Sequence, residues 1–335
     1  MEPLRIAIIS FEHMHAYSYA RVLDRAPWAS LVAVAEADAG RLKAAMGDLK
    51  SAPQAFDDYR KMLDSVSLDA VVITTANADH APVAIECAQR GKHILCEKPI
   101  ATTVADACAM IRAAGRSRVR FMTAFPVRFS PAVHRAREAV LAGDLGRVLG
   151  ACTSNHGSMP GGWFTDIARA GGGAVMDHTV HVTDLLRWIL DDEVAEVSAE
   201  YGTRLHALAC DDVGQLLLRF CKGTVASLDT SWSRPRCFPI WGDVKIELKG
   251  ERANASLNCF PRAIHYYDDA SMRHTAEAPG VNLDELMLAE FVAAVREDRP
   301  PAVTGVDGLR ALEVTLAAYE SGRIGEPVTI CPATA

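Results

Sequence analysis

AVVITTANADHAPVAIECAQRGKHILCEKPIATT, residues 70–103, reads as a strand, a helix and a second strand in series. Ala70–Thr74 is a short continuous apolar run, the pattern of a strand buried on both faces. A helix follows from about Ala81 to Arg90, and Gly91 stands where a helix C-terminus needs a left-handed residue. His93–Cys96 is the next strand and Thr103–Ala114 the next helix. Strands alternating with helices of this length require crossovers, and crossovers require a parallel sheet.

Working outward, the same alternation holds from the N-terminus. Leu4–Ile9 is a strand, and Ala16, Ala20 and Leu23 mark one face of a helix that ends before Pro27. Leu31–Ala35 is a strand, followed by a helix over Ala39–Met46. Residues 1–125 therefore read as a doubly wound α/β dinucleotide-binding domain. Beyond it, Val194–Tyr201, Val213–Phe220, Thr224–Trp232, Val244–Leu248 and Ala253–Cys259 read as strands, with a hairpin turn at Cys221-Lys222-Gly223. Residues 126–335 thus form an α+β domain with a large, mostly antiparallel open sheet. Helices at Asn282 and Gly308 close the chain and are placed to pack back on the first domain.

The chain has 335 residues, enough for about two domains. Lys+Arg is 35 and Asp+Glu is 42, for a net charge of −7, and no basic block is present, which excludes phosphate-backbone binding. No apolar run nears the ~20 residues of a membrane helix, and no signal peptide is read, so a cytoplasmic location is expected. The nine cysteines include no CxxC pair, which suits free thiols in a reducing compartment.

Several segments carry candidate chemistry. The loop after the first strand is Ser10-Phe11-Glu12-His13-Met14-His15, where a dinucleotide site usually has three glycines that let backbone approach a pyrophosphate. His13-x-His15 has a metal-ligand spacing, although two loop histidines without a partner cluster in sequence more often have no metal, and no metal is assigned here. Glu36, at the end of the second strand, is placed to accept ribose hydroxyls and to repel a 2′-phosphate. Thr75, Asn77 and His80 follow a strand at the edge where ligands bind such sheets. Glu97-Lys98-Pro99 follows another, and the proline at this sharp exit suits a cis peptide. In Gly171-Gly172-Gly173-Ala174-Val175-Met176-Asp177-His178-Thr179-Val180-His181-Val182-Thr183-Asp184, the residues Asp177, His181 and Asp184 share one helix face. A carboxylate one turn from an imidazole suits general acid–base chemistry.

GKHILCEKPIATT, GGGAVMDHTVHVTDLLRWIL and the tail RPPAVTGVDGLRALEVTLAAYESGRIGEPV together resemble the Gfo/Idh/MocA family of oxidoreductases. Thr75-Ala76-Asn77 with His80 is similar to its TPNxxH segment, and Val127-Arg128-Phe129 to its RF element. The resemblance implies a Rossmann domain, a nicotinamide cofactor (NAD, with NADP the alternative) and a sugar, cyclitol or polyol substrate. It implies catalytic roles for Lys98, Asp177 and His181. Ser10, Phe11, His13, Glu36, Thr75, Asn77, His80, Glu97 and Lys98 are then expected at the cofactor. Lys98, Arg128, Trp163, Asp177 and His181 are expected at the substrate, with Trp163 as an apolar wall for a sugar ring. A homodimer or homotetramer through the second sheet is also implied. Two other readings stay open: a metal-dependent hydrolase or lyase using His13 and His15 with His178 or His181, and a non-catalytic member whose glycine-free loop no longer holds a cofactor.

Overall fold

The apolar runs become strands wherever both faces are covered by helices. In the computed structural model, β1 (Leu4–Ile9), α1 (His15–Leu23), β2 (Ala29–Ala35), α2 (Ala39–Gly47), β3 (Gln54–Phe56) and α3 (Tyr59–Ser65) come first. They are followed by β4 (Ala70–Ile73), α4 (His80–Gln89), β5 (His93–Cys96), α5 (Val104–Ser117) and β6 (Phe121–Thr123). The structure describes residues 2–238, 240–260, 264–268, 272–277 and 280–334. The strands form one parallel sheet in the order β3-β2-β1-β4-β5-β6. The order reverses between β1 and β4, which opens a ligand crevice at the C-terminal ends of those strands.

Next come α6 (Pro131–Leu141), β7 (Val148–Gly157), α7 (Ile167–Ala170) and α8 (Ala174–Leu190). Strands β8 (Val194–Gly202), β9 (Val213–Phe220), β10 (Val225–Ser231), β11 (Gly242–Gly250) and β12 (Asn254–Asn258) follow, then the hairpin β13 (Ile264–Asp268) and β14 (Arg273–Glu277). The chain closes with α9 (Leu283–Arg296), α10 (Gly305–Ile324) and β15 (Val328–Thr329). The second sheet runs β12-β11-β7-β10-β9-β8-β15 and is antiparallel except for the parallel pair β7–β10. The α/β reading of the first half and the α+β reading of the second both hold. β7 was not anticipated, because its covered face is built from Ala151, Thr153 and Asn155 rather than large aliphatics.

Two packing relations place the site. Helix α8 lies on the second sheet, where Val182, Leu185, Leu186 and Ile189 share a core with Leu216, Leu218 and Leu228. Helix α9 returns to the first sheet, where Met287, Leu288 and Phe291 pack with Ile8, Tyr19 and Phe125. The N-terminal turn of α8 thereby faces the C-terminal end of β5. Among the described residues, no helix is long and apolar enough to cross a membrane.

Candidate active site

Lys98 leaves β5 across a cis Lys98–Pro99 peptide. Its ammonium Nζ lies 2.5 Å from Asp177 Oδ1, and both side chains are buried. Asp177 sits in the first turn of α8. Its other oxygen accepts from Trp232 Nε1 at 3.0 Å and lies 3.2 Å from His178 Nε2. Burial raises the Asp177 carboxyl, but Lys98 and His178 outweigh it and hold it well below the usual range. His181 is one turn further along; burial and then Lys98 keep its imidazole well below the ordinary value, so it is neutral near pH 7. Lys98, Asp177, His178 and His181 line a cavity of about 470 Å³ together with His13 and His15. Phe164, Trp241 and Val244 provide apolar wall, and Asn155 and Asp243 add polar groups from β7 and β11.

The three glycines have a packing cause. A Cβ on Gly172 would collide with the Tyr319 ring, and one on Gly173 with the Asp211 backbone. Asp211 accepts from Gly173 N at 3.0 Å and Val175 N at 2.8 Å, and Tyr319 Oη accepts from Met176 N at 3.1 Å. The open donors at the start of α8 are thus taken by protein, and the stretch serves close approach rather than anion binding.

A second groove lies at the ends of β1, β2 and β4, lined by Ser10, Glu12, Glu36, Arg41, Thr75 and Arg169 among others. Glu36 accepts from Phe11 N at 2.6 Å, Ser10 Oγ at 3.1 Å, Asp38 N at 2.8 Å and Arg41 at 2.8 Å. Burial raises its carboxyl, but Arg41 and the two backbone donors outweigh that and lower it. Glu12 is held by Arg169 of α7 at 2.8 and 2.9 Å, with Arg41 at 3.7 Å. This bridge between the two halves was not foreseen from sequence, where the carboxylate was visible but its partner, 157 residues away, was not.

The expected residues divide accordingly. Lys98, Asp177, His181 and His13 meet at the cavity; Ser10, Glu36 and Thr75 meet at the groove. Glu97 is buried one layer behind Lys98. Five expected residues are engaged elsewhere in the protein. Phe11 has its side chain in the core, and its N–H is spent on Glu36. Asn77 donates to Ala170 O at 2.8 Å, and the two ring nitrogens of His80 lie 3.0 and 3.3 Å from Pro99 O and Thr75 O, so both tie loops together. Trp163 stands behind Phe164, stacked on it at 4.0 Å, and donates to Glu12 O. Arg128 is buried in a pair with Asp184, 3.2 Å from Asp307, and donates to Ala302 O. It is not among the residues lining the cavity; its partner Asp184 lies one turn beyond His181 on α8.

Comparison with known proteins agrees with this fold. A family model described as "Oxidoreductase family, NAD-binding Rossmann fold" matches residues 4–125, and one for the GFO/IDH/MocA C-terminal domain matches residues 133–256. The 1,5-anhydro-D-fructose reductase of Ensifer adhaerens is 28% identical over 279 residues, 81% of this chain and 82% of its own. The myo-inositol 2-dehydrogenase of Thermotoga maritima is 27% identical over 340 residues, covering 95% and 96%. The crystal structure of GenD2 from gentamicin A biosynthesis in complex with NAD shares the fold, with a TM-score of 0.89 at 23% identity and coverage of 99% and 97%.

The Arg128 geometry predicts a stability effect rather than a substrate effect. Arg128→Met strands the buried carboxylate of Asp184 and should cost about 3–5 kcal/mol in urea unfolding. Its KM should stay within about twofold of the parent. A large KM rise with unchanged stability would return Arg128 to the substrate.

Proposed function

The chain belongs to the Gfo/Idh/MocA family of oxidoreductases, and from that premise we infer that Lys98, Asp177 and His181 act on a secondary hydroxyl of a sugar, cyclitol or related polyol. The observation that carries this reading is the buried Lys98–Asp177 pair on the wall of a cavity shared with a neutral His181. His181 Nδ1 makes no hydrogen bond among the described residues, so the ring is uncommitted and able to take the hydroxyl proton. Lys98 donates to the same oxygen and stabilises the negative charge that develops there. Asp177, fixed by Trp232, holds the ammonium in place. The apolar wall of Phe164 and Trp241 suits a sugar ring, and Asn155 and Asp243 suit its hydroxyls.

The residues of the groove fit a dinucleotide. Buried Thr75 Oγ1 has no partner among the described residues, and Arg41, Arg60 and Arg169 stand on the groove's walls beside Glu12, Glu36, Asp57, Asp58 and Asp79. Ser10, Glu36 and Thr75 would hold the nucleoside side, and Arg41 and Arg169 the phosphates. The buried carboxylate of Glu36 supports NAD over NADP. When bound, the nicotinamide supplies the hydride acceptor or donor. Residues 1–125 are read as the cofactor domain and 126–335 as the substrate domain. Leu217 and Val225, exposed at diagonal positions on β9 and β10, support a homodimer or homotetramer. The free, buried Cys87, Cys96 and Cys108 suit a cytoplasmic location.

Three outcomes are expected. Lys98→Ala should lower kcat/KM for polyol oxidation by about 10²-fold or more; unchanged turnover would remove Lys98 from the chemistry. A base must be neutral to accept a proton, and His181 is held below its ordinary value. The acid limb of kcat/KM should therefore fall well below pH 6.5, and a fall centred on 6.5 would point to another base. Glu12→Gln, which removes a charge competing for Arg41 and Arg169, should tighten NAD binding by about tenfold in calorimetry. Weaker binding would mean that Glu12 itself serves the cofactor.

A further inference from the structure

We infer that His13, His15 and Glu97 form a site for a divalent transition-metal ion, opening on the cavity that Lys98 lines. The ligand atoms of the three residues lie within 4.8 Å of one another. His15 Nδ1 is 3.0 Å and His13 Nε2 is 3.8 Å from the two oxygens of Glu97. Ligand atoms about 2.1 Å from one ion are about 3–3.5 Å apart at ordinary angles, so closure by about an ångström from separations of at most 4.8 Å completes the set.

Three further observations favour an ion here. His13 Nε2 is buried and has no hydrogen-bond partner among the described residues. Glu97 is held from behind, by Tyr19 Oη at 2.5 Å and by Lys98 N–H at 3.0 Å, as carboxylate ligands commonly are. His13 and His15 both face the cavity, so three protein ligands leave the remaining positions open on that side. Three ligands with an open position is the pattern of a site that binds substrate oxygens or water, and two imidazoles with one carboxylate suit Zn²⁺, Co²⁺, Fe²⁺ or Mn²⁺. The sequence shows only the two histidines; the third ligand lies 82 residues beyond His15 and joins them through the fold.

Two contacts oppose the ion and set its cost. His15 Nδ1 is already hydrogen-bonded to Glu97 Oε1 at 3.0 Å and gives up that bond to coordinate. His13 Nδ1 accepts the His15 backbone N–H at 3.2 Å, which leaves the ring proton on Nε2. Coordination through Nε2 moves that proton to Nδ1 and gives up one long neutral hydrogen bond in exchange for a metal–nitrogen bond.

The site does not depend on the dehydrogenase reading, and the two are separable in one preparation. Untagged protein is stripped with chelator, dialysed, and titrated with Zn²⁺ by calorimetry and with Co²⁺ by visible absorption. One ion per chain is expected, with a Kd of about 1 µM or tighter and a cobalt ligand-field band. His15→Gln, at a side chain only partly buried, should fold normally and weaken binding by about 10²-fold, as should His13→Gln. If His13→Gln unfolds, His15→Gln alone decides. No binding at about 100 µM ion, or binding unchanged in His15→Gln, overturns the site. NAD titration of the same metal-free protein reports on the dehydrogenase reading independently.

Discussion

Much of the site's geometry follows from one buried ion pair. Lys98 and Asp177 are each too costly to bury alone, and removing one partner of such a pair typically costs about 3–5 kcal/mol. Their contact therefore fixes where the end of β5 and the start of α8 stand relative to each other. That requirement propagates. To bring Asp177 to Lys98, the backbone before α8 must run against Asp211 and Tyr319 with no room for a Cβ, hence Gly172 and Gly173. Asp211 and Tyr319 then take the donors at the start of α8, so the helix is anchored at the end that carries the chemistry. His181, one turn on, inherits its position from the same anchor.

The fold was legible where one physical cause dominated each segment. β4 and β5 are buried on both faces and read as unbroken apolar runs; α4 between them ends at Gly91 with φ 70°. β3 and β7 were not legible, because a three-residue edge strand and a strand packed through Ala, Thr and Asn show no alternation of large apolar groups. At the site, Asp177 and His181 were legible together because helical spacing places them on one face. The same spacing misled at Asp184. The polar stripe divides, and its last carboxylate meets Arg128, 56 residues earlier in the chain. Helical period says which residues share a face, not which neighbour that face meets. His80 failed for a related reason: a strand-end loop borders a crevice, but its polar side chains can equally brace the loop.

The glycine-free loop links the remaining features. Ser10 keeps the left-handed backbone, φ 73°, that the first glycine of such a turn normally supplies, a conformation costing a non-glycine residue about 1–3 kcal/mol. Glu36 offsets that strain by gripping Ser10 Oγ and Phe11 N–H. The grip has a consequence for ligand binding. Phe11 N–H, a backbone donor of the kind such loops turn toward phosphate, is turned toward a carboxylate instead.

Glu36 cannot then be an unoccupied ribose acceptor. Its two oxygens already receive four donors, which fills the capacity of a carboxylate. Two of those are backbone N–H groups, which cannot leave without moving the loop or the turn before α2. Ser10 Oγ could rotate away, but only by surrendering its share of the brace. Arg41 is the partner with an exposed side chain and with somewhere else to go, since it also leans on Glu12. On the proposed reading, a ribose entering here would displace Arg41, which lines the same groove as Arg169. A loop that spends the Phe11 backbone donor on Glu36 would then gain one guanidinium group, that of Arg41, beside Arg169, which Glu12 still holds. Specificity and affinity become coupled through Arg41: what the ribose displaces, the phosphates can recruit.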